Sequence, residues 1–152
     1  MEPARTEPEN RLRSVTLFGA LVLAQLAHSI EEYLGRLWES FPPARFLTSL
    51  VSDNGEFGFL VLNLGLVAFG FWCLLVPVRL GRPSAFSLAW AWVGIELVNG
   101  IGHPLWSLRQ GGYTPGVATA PLLLVLALWL ARELRRGRLA GSAGSEEPVP
   151  RG

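Results

Sequence analysis

Apolar positions in this chain fall into four long blocks, not into the short alternating runs of a half-buried sheet. No charged residue occurs from Ser14 to Ile30, from Phe57 to Val78 or from Gln110 to Ala131, and the block from Pro83 to Leu105 carries only Glu96. A helix needs about 20 apolar residues to cross about 30 Å of hydrocarbon, and buried strands are much shorter than these runs. The pattern therefore predicts an all-α fold, a four-helix transmembrane bundle in up-down-up-down order, with helices over about 14–34, 57–77, 84–104 and 115–134.

Turn signals separate the blocks. Phe41-Pro42-Pro43 and Ser52-Asp53-Asn54-Gly55 lie between the first two, Pro77, Gly81 and Pro83 between the second and third, and Gly111-Gly112 with Pro115 before the fourth. Arg11 and Arg13 precede the first block as they would in a secretory signal. The block lacks a small-x-small cleavage site and runs directly into His28 and Glu31-Glu32, so it reads as a retained helix. A membrane domain over 13–136 is thus expected between a disordered head (1–12) and a disordered Gly- and Pro-containing tail (137–152).

Charge sets the orientation and removes one class of function. Only 16% of the 152 residues are charged, against about 25% in an average soluble domain. The net charge of +1 lacks the basic excess of a nucleic-acid binder. All 13 basic residues are arginine. Three precede the first block, two lie between the second and third, and five follow the fourth, leaving Arg36, Arg45 and Arg109 on the other side. The positive-inside rule then places both termini in the cytoplasm and the connections 35–56 and 105–114 outside. Exclusive use of arginine fits high-GC coding and hence a bacterial plasma membrane. The single cysteine, Cys73, excludes a disulfide framework and reads as a core residue.

Ionisable side chains inside a membrane are costly and tend to have a use. Here they gather at one level. Gln25, His28, Glu31 and Glu32 form a stripe at the outward end of the first helix, and Glu96, Asn99 and His103 share one face toward the outward end of the third. Asp53 and Glu56 lead the second helix. Thr114 as N-cap and Pro115 in the first turn of the fourth would aim free backbone N–H groups at the same outer-leaflet region, a place for negative charge.

The motifs His28-x-x-Glu31-Glu32, Asn99-x-x-x-His103 and Tyr113-x-Pro115-Gly116-x-x-Thr119, in that order on a small multi-pass chain, resemble the HXXEE-domain family of integral membrane proteins. The resemblance covers the membrane core, roughly Arg13 to Arg136, and marks His28, Glu31, Glu32, Asn99, His103, Pro115, Gly116 and Thr119. It implies a membrane protein of unknown function with suspected enzymatic activity.

Three chemistries compete for these residues. His28, Glu31, Glu32, Glu96 and His103 offer nitrogen and carboxylate ligands for a divalent metal such as Zn, Fe or Mn. Without a metal, Glu31 and Glu32 beside His28 are an acid and a base for a small or lipid-like substrate entering from the bilayer. Asn99 and His103 would then orient groups or carry protons, and the Thr119 helix start would stabilise negative charge. Glu31-Glu32-x-x-x-Arg36 also resembles the first motif of the CAAX-type glutamic intramembrane proteases, whose later motifs this chain lacks, with Asn99-x-x-x-His103 reversing their His-x-x-x-Asn order. The third chemistry is non-catalytic: a ligand-binding module, or a transport module working as a homo-oligomer, whose polar residues pack helices together. Individually, Glu31, Glu32 and Arg36 read as a salt-bridged helix end, His103 before Pro104 as a helix terminator, and Trp38 and Trp106 as interfacial anchors.

Overall fold

The computed structural model of the chain describes residues 7–143, with no strand among them. Its helices are α1 (Glu7–Leu34), two short helices α2 (Leu37–Ser40) and α3 (Pro42–Ser49), then α4 (Gly55–Cys73), α5 (Ala85–Gln110) and α6 (Ala120–Ala143). Three stretches are long and apolar enough to cross a membrane: Arg11–Leu34, Gly55–Val78 and Ala85–Gln110.

Several helix limits differ from the sequence expectation, each for a physical reason. α1 begins at Glu7 and α6 runs to Ala143, so parts of the expected head and tail are helical; the rest of both lies outside the described residues. After α4, where Pro77 cannot donate a backbone bond, the chain passes into one π-helical turn over Leu74–Val78 that the Arg79 N–H closes onto the Leu74 carbonyl. Pro104 does not end α5. It only deletes a bond to the Gly100 carbonyl, and the helix continues to Gln110, where Gly111 (φ 70°) closes it in the left-handed conformation.

The expected fourth span is corrected most. Its block is apolar, but α6 starts at Ala120, and Arg132, Glu133, Arg135 and Arg136 follow Ala131. Only about 18 Å of helix is then free of charge, short of a bilayer's hydrocarbon. The Tyr113–Thr119 segment before it is a turn, so Pro115 is not in a helical first turn and Thr114 is not an N-cap.

Burial follows helical stripes. On α1 the inward positions Phe18, Leu21 and Val22 are apolar, and the same stripe continues as Gln25, His28, Ser29 and Glu32. On α5 it changes from Ala89, Trp92 and Val93 to Glu96 and His103. One half of the interior is therefore a dry core, where Phe18 meets Trp92 edge-on at 6.1 Å and Leu123, Leu130 and Cys73 close the packing. The other half is polar.

Contacts at the two ends relate the helices. At the dry end, Arg11 of α1 donates to the Arg79 carbonyl (2.7 Å), Arg13 pairs with Glu133 of α6 (3.4 Å), and the Arg135 guanidinium lies 5.6 Å over Trp90 of α5. At the polar end, Tyr33 of α1 donates to Glu56 in the first turn of α4 (2.7 Å), and Asn54 caps α4 by accepting from the Phe57 N–H (3.0 Å). Trp38 of α2 packs between Tyr33 and Phe59, and Thr48 of α3 lies against Gly58.

Close approach of α5 and α6 depends on Gly100, where a Cβ would stand 2.7 Å from Leu124 Cβ and 2.9 Å from its Cα. A Cβ on Gly94 would meet nothing within 4 Å. Gly100→Ala is expected to lower stability by about 1–3 kcal/mol through overpacking. Gly94→Ala should be neutral or stabilise by up to about 1 kcal/mol through helix propensity. Thermal unfolding of both variants in one detergent checks the contrast.

Candidate functional site

Three side chains from two helices converge in the polar half. His28 and Glu32 are one turn apart on α1 and lie on one face, and His103 comes from α5. His28 Nε2 is 3.3 Å from Glu32 Oε1, and His103 Nε2 is 3.1 Å from the same oxygen. The ligand atoms of the three lie within 4.8 Å of one another, and all three residues are buried. The imidazole rings cross at 90° with centroids 4.7 Å apart.

The turn before α6 holds this arrangement. His103 Nδ1 is 2.7 Å from the Pro115 carbonyl, which can only accept, so Nδ1 carries a proton. His28 Nδ1 is 2.7 Å from the Thr119 hydroxyl. Gly116 (φ 90°) passes between: a Cβ there would stand 2.5 Å from His103 Nδ1 and 2.8 Å from His28 Cε1. Both the positive φ and the missing side chain are thus required.

Glu31 is placed apart from this trio. Its Oε1 accepts from the Tyr113 hydroxyl (2.7 Å) and the Ala118 N–H (3.0 Å), and its Oε2 from the Thr119 N–H (2.9 Å) and hydroxyl (2.6 Å). The expected anion site at the start of the last helix is therefore filled by a carboxylate of the chain itself.

Glu96 forms a second polar layer, with no basic partner among the described residues. With its amide oriented by the surrounding network, Gln25 Nε2 donates to both Glu96 oxygens (2.9 and 3.1 Å) while its Oε1 accepts from Ser29 Oγ (3.1 Å). Asn99 Nδ2 also reaches Glu96, at 3.4 Å. Of the five candidate ligands, then, the structure brings together His28, Glu32 and His103, and places Glu31 and Glu96 in separate networks. Asn99 contacts Glu96 instead of orienting the histidines. His103 is an inward-facing residue of a continuing helix and not its terminator.

Sequence reading missed Phe41, taken only as part of a Phe-Pro-Pro break. Its ring lies 6.0 Å from that of His103 and 5.2 Å from that of Trp106. An aromatic beside two prolines carries no signal of this contact. The role of the Pro115 carbonyl was equally hidden, since a main-chain acceptor has no residue signature.

An all-helical chain with three membrane-length apolar helices and a buried cluster of two histidines and a glutamate is the class defined by these observations. The chain belongs to the HXXEE family, described as "Protein of unknown function with HXXEE motif", which matches residues 20–130. No curated protein and no solved structure matches it.

Proposed function

We propose that this chain is a multi-pass membrane protein that binds a divalent cation on His28, Glu32 and His103 and uses it for chemistry on a small or lipid-like substrate. Its four long helices form an up-down-up-down bundle with both termini cytoplasmic, as the arginine distribution favours. The end contacts support that order: the start of α1 meets the end of α4 and the second half of α6, while the end of α1 meets the start of α4. The site then lies in the extracytoplasmic half. The fourth crossing is completed by the Tyr113–Thr119 turn, in which Thr114, Pro115 and Gly116 are buried. Non-helical backbone is tolerated at membrane depth where protein covers it and satisfies its polar groups.

The observation that carries the metal assignment is the convergence of two imidazole Nε2 atoms on one carboxylate oxygen. Because His103 donates through Nδ1, its neutral ring points a lone pair from Nε2 at Glu32. Acceptor facing acceptor in a buried place calls for a positive charge between them. The two histidine–glutamate spacings also fit, since ligand atoms about 2.0–2.1 Å from a tetrahedral ion stand roughly 3.3 Å from each other. Two histidines and one carboxylate are the donor set of catalytic zinc sites and of non-haem Fe(II) sites. Among the described residues no further His, Cys, Asp or Glu joins the group, which leaves coordination positions for substrate or water. A bound ion would supply a Lewis acid.

The protein's own residues do the rest. Pro115 and Thr119 hold the two rings by Nδ1, Phe41, packed on Trp106, lies beside His103, and Gly116 lets the turn close over both imidazoles. Both Glu31 oxygens are occupied by donors, which argues against the water-activating role the protease resemblance would give it.

Metal content by mass spectrometry, on protein purified without added metal or chelator, tests the proposal. About one ion per chain is expected, lost in His28→Ala, Glu32→Ala and His103→Ala and kept in Glu96→Gln, with helicity by circular dichroism confirming that each variant is folded. Absence of bound metal after reconstitution with zinc, iron(II) and manganese(II) would overturn it and leave the triad as an acid–base cluster sharing a proton.

A further inference from the structure

The HXXEE motif holds two adjacent glutamates, and the proposed cation site uses only the second. Glu31 nevertheless reaches the site through a single intermediary. Thr119 Oγ1 lies between Glu31 Oε2 (2.6 Å) and His28 Nδ1 (2.7 Å). A hydroxyl has one proton and can donate it once. Its other acceptor within reach, the Gly116 carbonyl, is 3.5 Å away, too long to compete.

The direction of the chain of bonds is decided at Glu31. Each of its oxygens already receives two donors: Tyr113 O–H and Ala118 N–H on one, Thr119 N–H and O–H on the other. Each oxygen faces a backbone N–H, of Ala118 on one and Thr119 on the other, that can only donate, and the ionised carboxylate is the form that satisfies both of these together with the two hydroxyls. The carboxylate therefore only accepts, the Thr119 proton is committed to it, and the Thr119 oxygen faces His28 as an acceptor. His28 must then donate from Nδ1, which leaves its lone pair on Nε2, the atom directed at Glu32 and buried without any other hydrogen-bond partner.

We propose that Glu31 is a positioning residue which, through the Thr119 hydroxyl, fixes His28 as the Nδ1–H tautomer and so presents Nε2 as a ligand. This rests on the cation-site reading above, and it makes a statement about the metal-free protein that can be tested separately. Were the Thr119 hydroxyl released, it could donate to His28 Nδ1 instead. The ring proton would then move to Nε2, where it blocks coordination. Partners of this kind, acting on the far nitrogen of a ligating histidine, typically change metal affinity 10–100-fold. His103 has an independent anchor in the Pro115 carbonyl and serves as an internal control.

The experiment is ¹⁵N NMR of the full chain, labelled at histidine and free of metal, because the two ring nitrogens report the tautomer directly. Wild type should show a proton on Nδ1 of both histidines. In Thr119→Val and Glu31→Ala the His28 signals should move to the Nε2–H form or a mixture while those of His103 stay, and zinc affinity should fall about 10–100-fold. Thr119→Ser, which keeps the hydroxyl, should restore the wild-type spectrum; it also guards against a Glu31→Ala chain that does not fold. An unchanged His28 tautomer in folded Thr119→Val, or Nε2–H in the wild type, would overturn the proposal. So would zinc loss in Glu31→Ala at an unchanged tautomer, since that would mark Glu31 as a ligand. A tautomer shift in a protein that binds no metal would sustain the relay and remove the cation reading alone.

Discussion

Much of the polar half of this protein depends on the need to satisfy backbone groups where a helix is interrupted. The turn Tyr113–Thr119 leaves N–H and carbonyl groups that a continuous helix would have paired, and buried groups of this kind are costly when left alone. Two of the N–H groups, on Ala118 and Thr119, are taken by Glu31, and the Pro115 carbonyl is taken by His103. Of the side chains that stitch the turn to α1 and α5, the two histidines also belong to the His/Glu cluster, and Glu31 is the neighbour of its carboxylate. The cluster's geometry is thus a consequence of how the turn is paired, and the three sequence motifs are parts of one device: HXXEE supplies the acceptor, the Asn-x-x-x-His helix supplies a donor, and the Tyr-x-Pro-Gly-x-x-Thr turn needs both.

Placement of the cluster follows from the stripes on α1 and α5. Each helix buries one continuous face, apolar over its first half and polar over its second, so the polar layers stack at one end without interrupting the dry core. Glu96 and Gln25 form the layer next to that core. They are satisfied among themselves with Ser29 and Asn99, which makes this a closed network able to specify the register of α1 against α5. The outer layer differs. There two imidazole Nε2 atoms converge on one carboxylate oxygen, the arrangement on which the proposed cation site rests.

Reading the sequence located the apolar blocks and gathered at one level the polar residues that line the polar half of the structure, because period and charge-free length are properties of the sequence itself. It could not separate Glu31 from Glu32. Adjacent residues differ by about 100° around a helix, and both flank the His28 face, so only the position of α6 decides which one turns toward His103 and which toward Thr119. Helix ends failed for local reasons: proline was read as punctuation, whereas Pro104 is absorbed by a helix that packs on both sides of it. The short helices α2 and α3 lay within a connection whose prolines suggested only a break. Their order comes from tertiary packing of Trp38 on Tyr33 and Phe59 and of Thr48 on Gly58.

Gly116 shows how tightly the turn and the cluster constrain each other. Two imidazoles with centroids 4.7 Å apart leave no space for a methyl group on the chain that covers them, and the φ of 90° that brings this chain past them is one that L side chains rarely adopt. Steric exclusion and backbone conformation select the same residue independently. With the turn pressed this closely on the rings, His28 is fully enclosed, and the small remaining exposure belongs to Glu32 and His103, at 7% and 6%. Phe41 lies beside that His103 edge, carried by the chain between α2 and α3 and not by either of the helices that supply the cluster. The enclosing wall on one side is therefore fixed by hydrogen bonds of the turn to both imidazoles, while Phe41 on the other meets His103 through ring packing and takes its position from Trp106 and from the cluster of Leu37, Trp38 and Phe59.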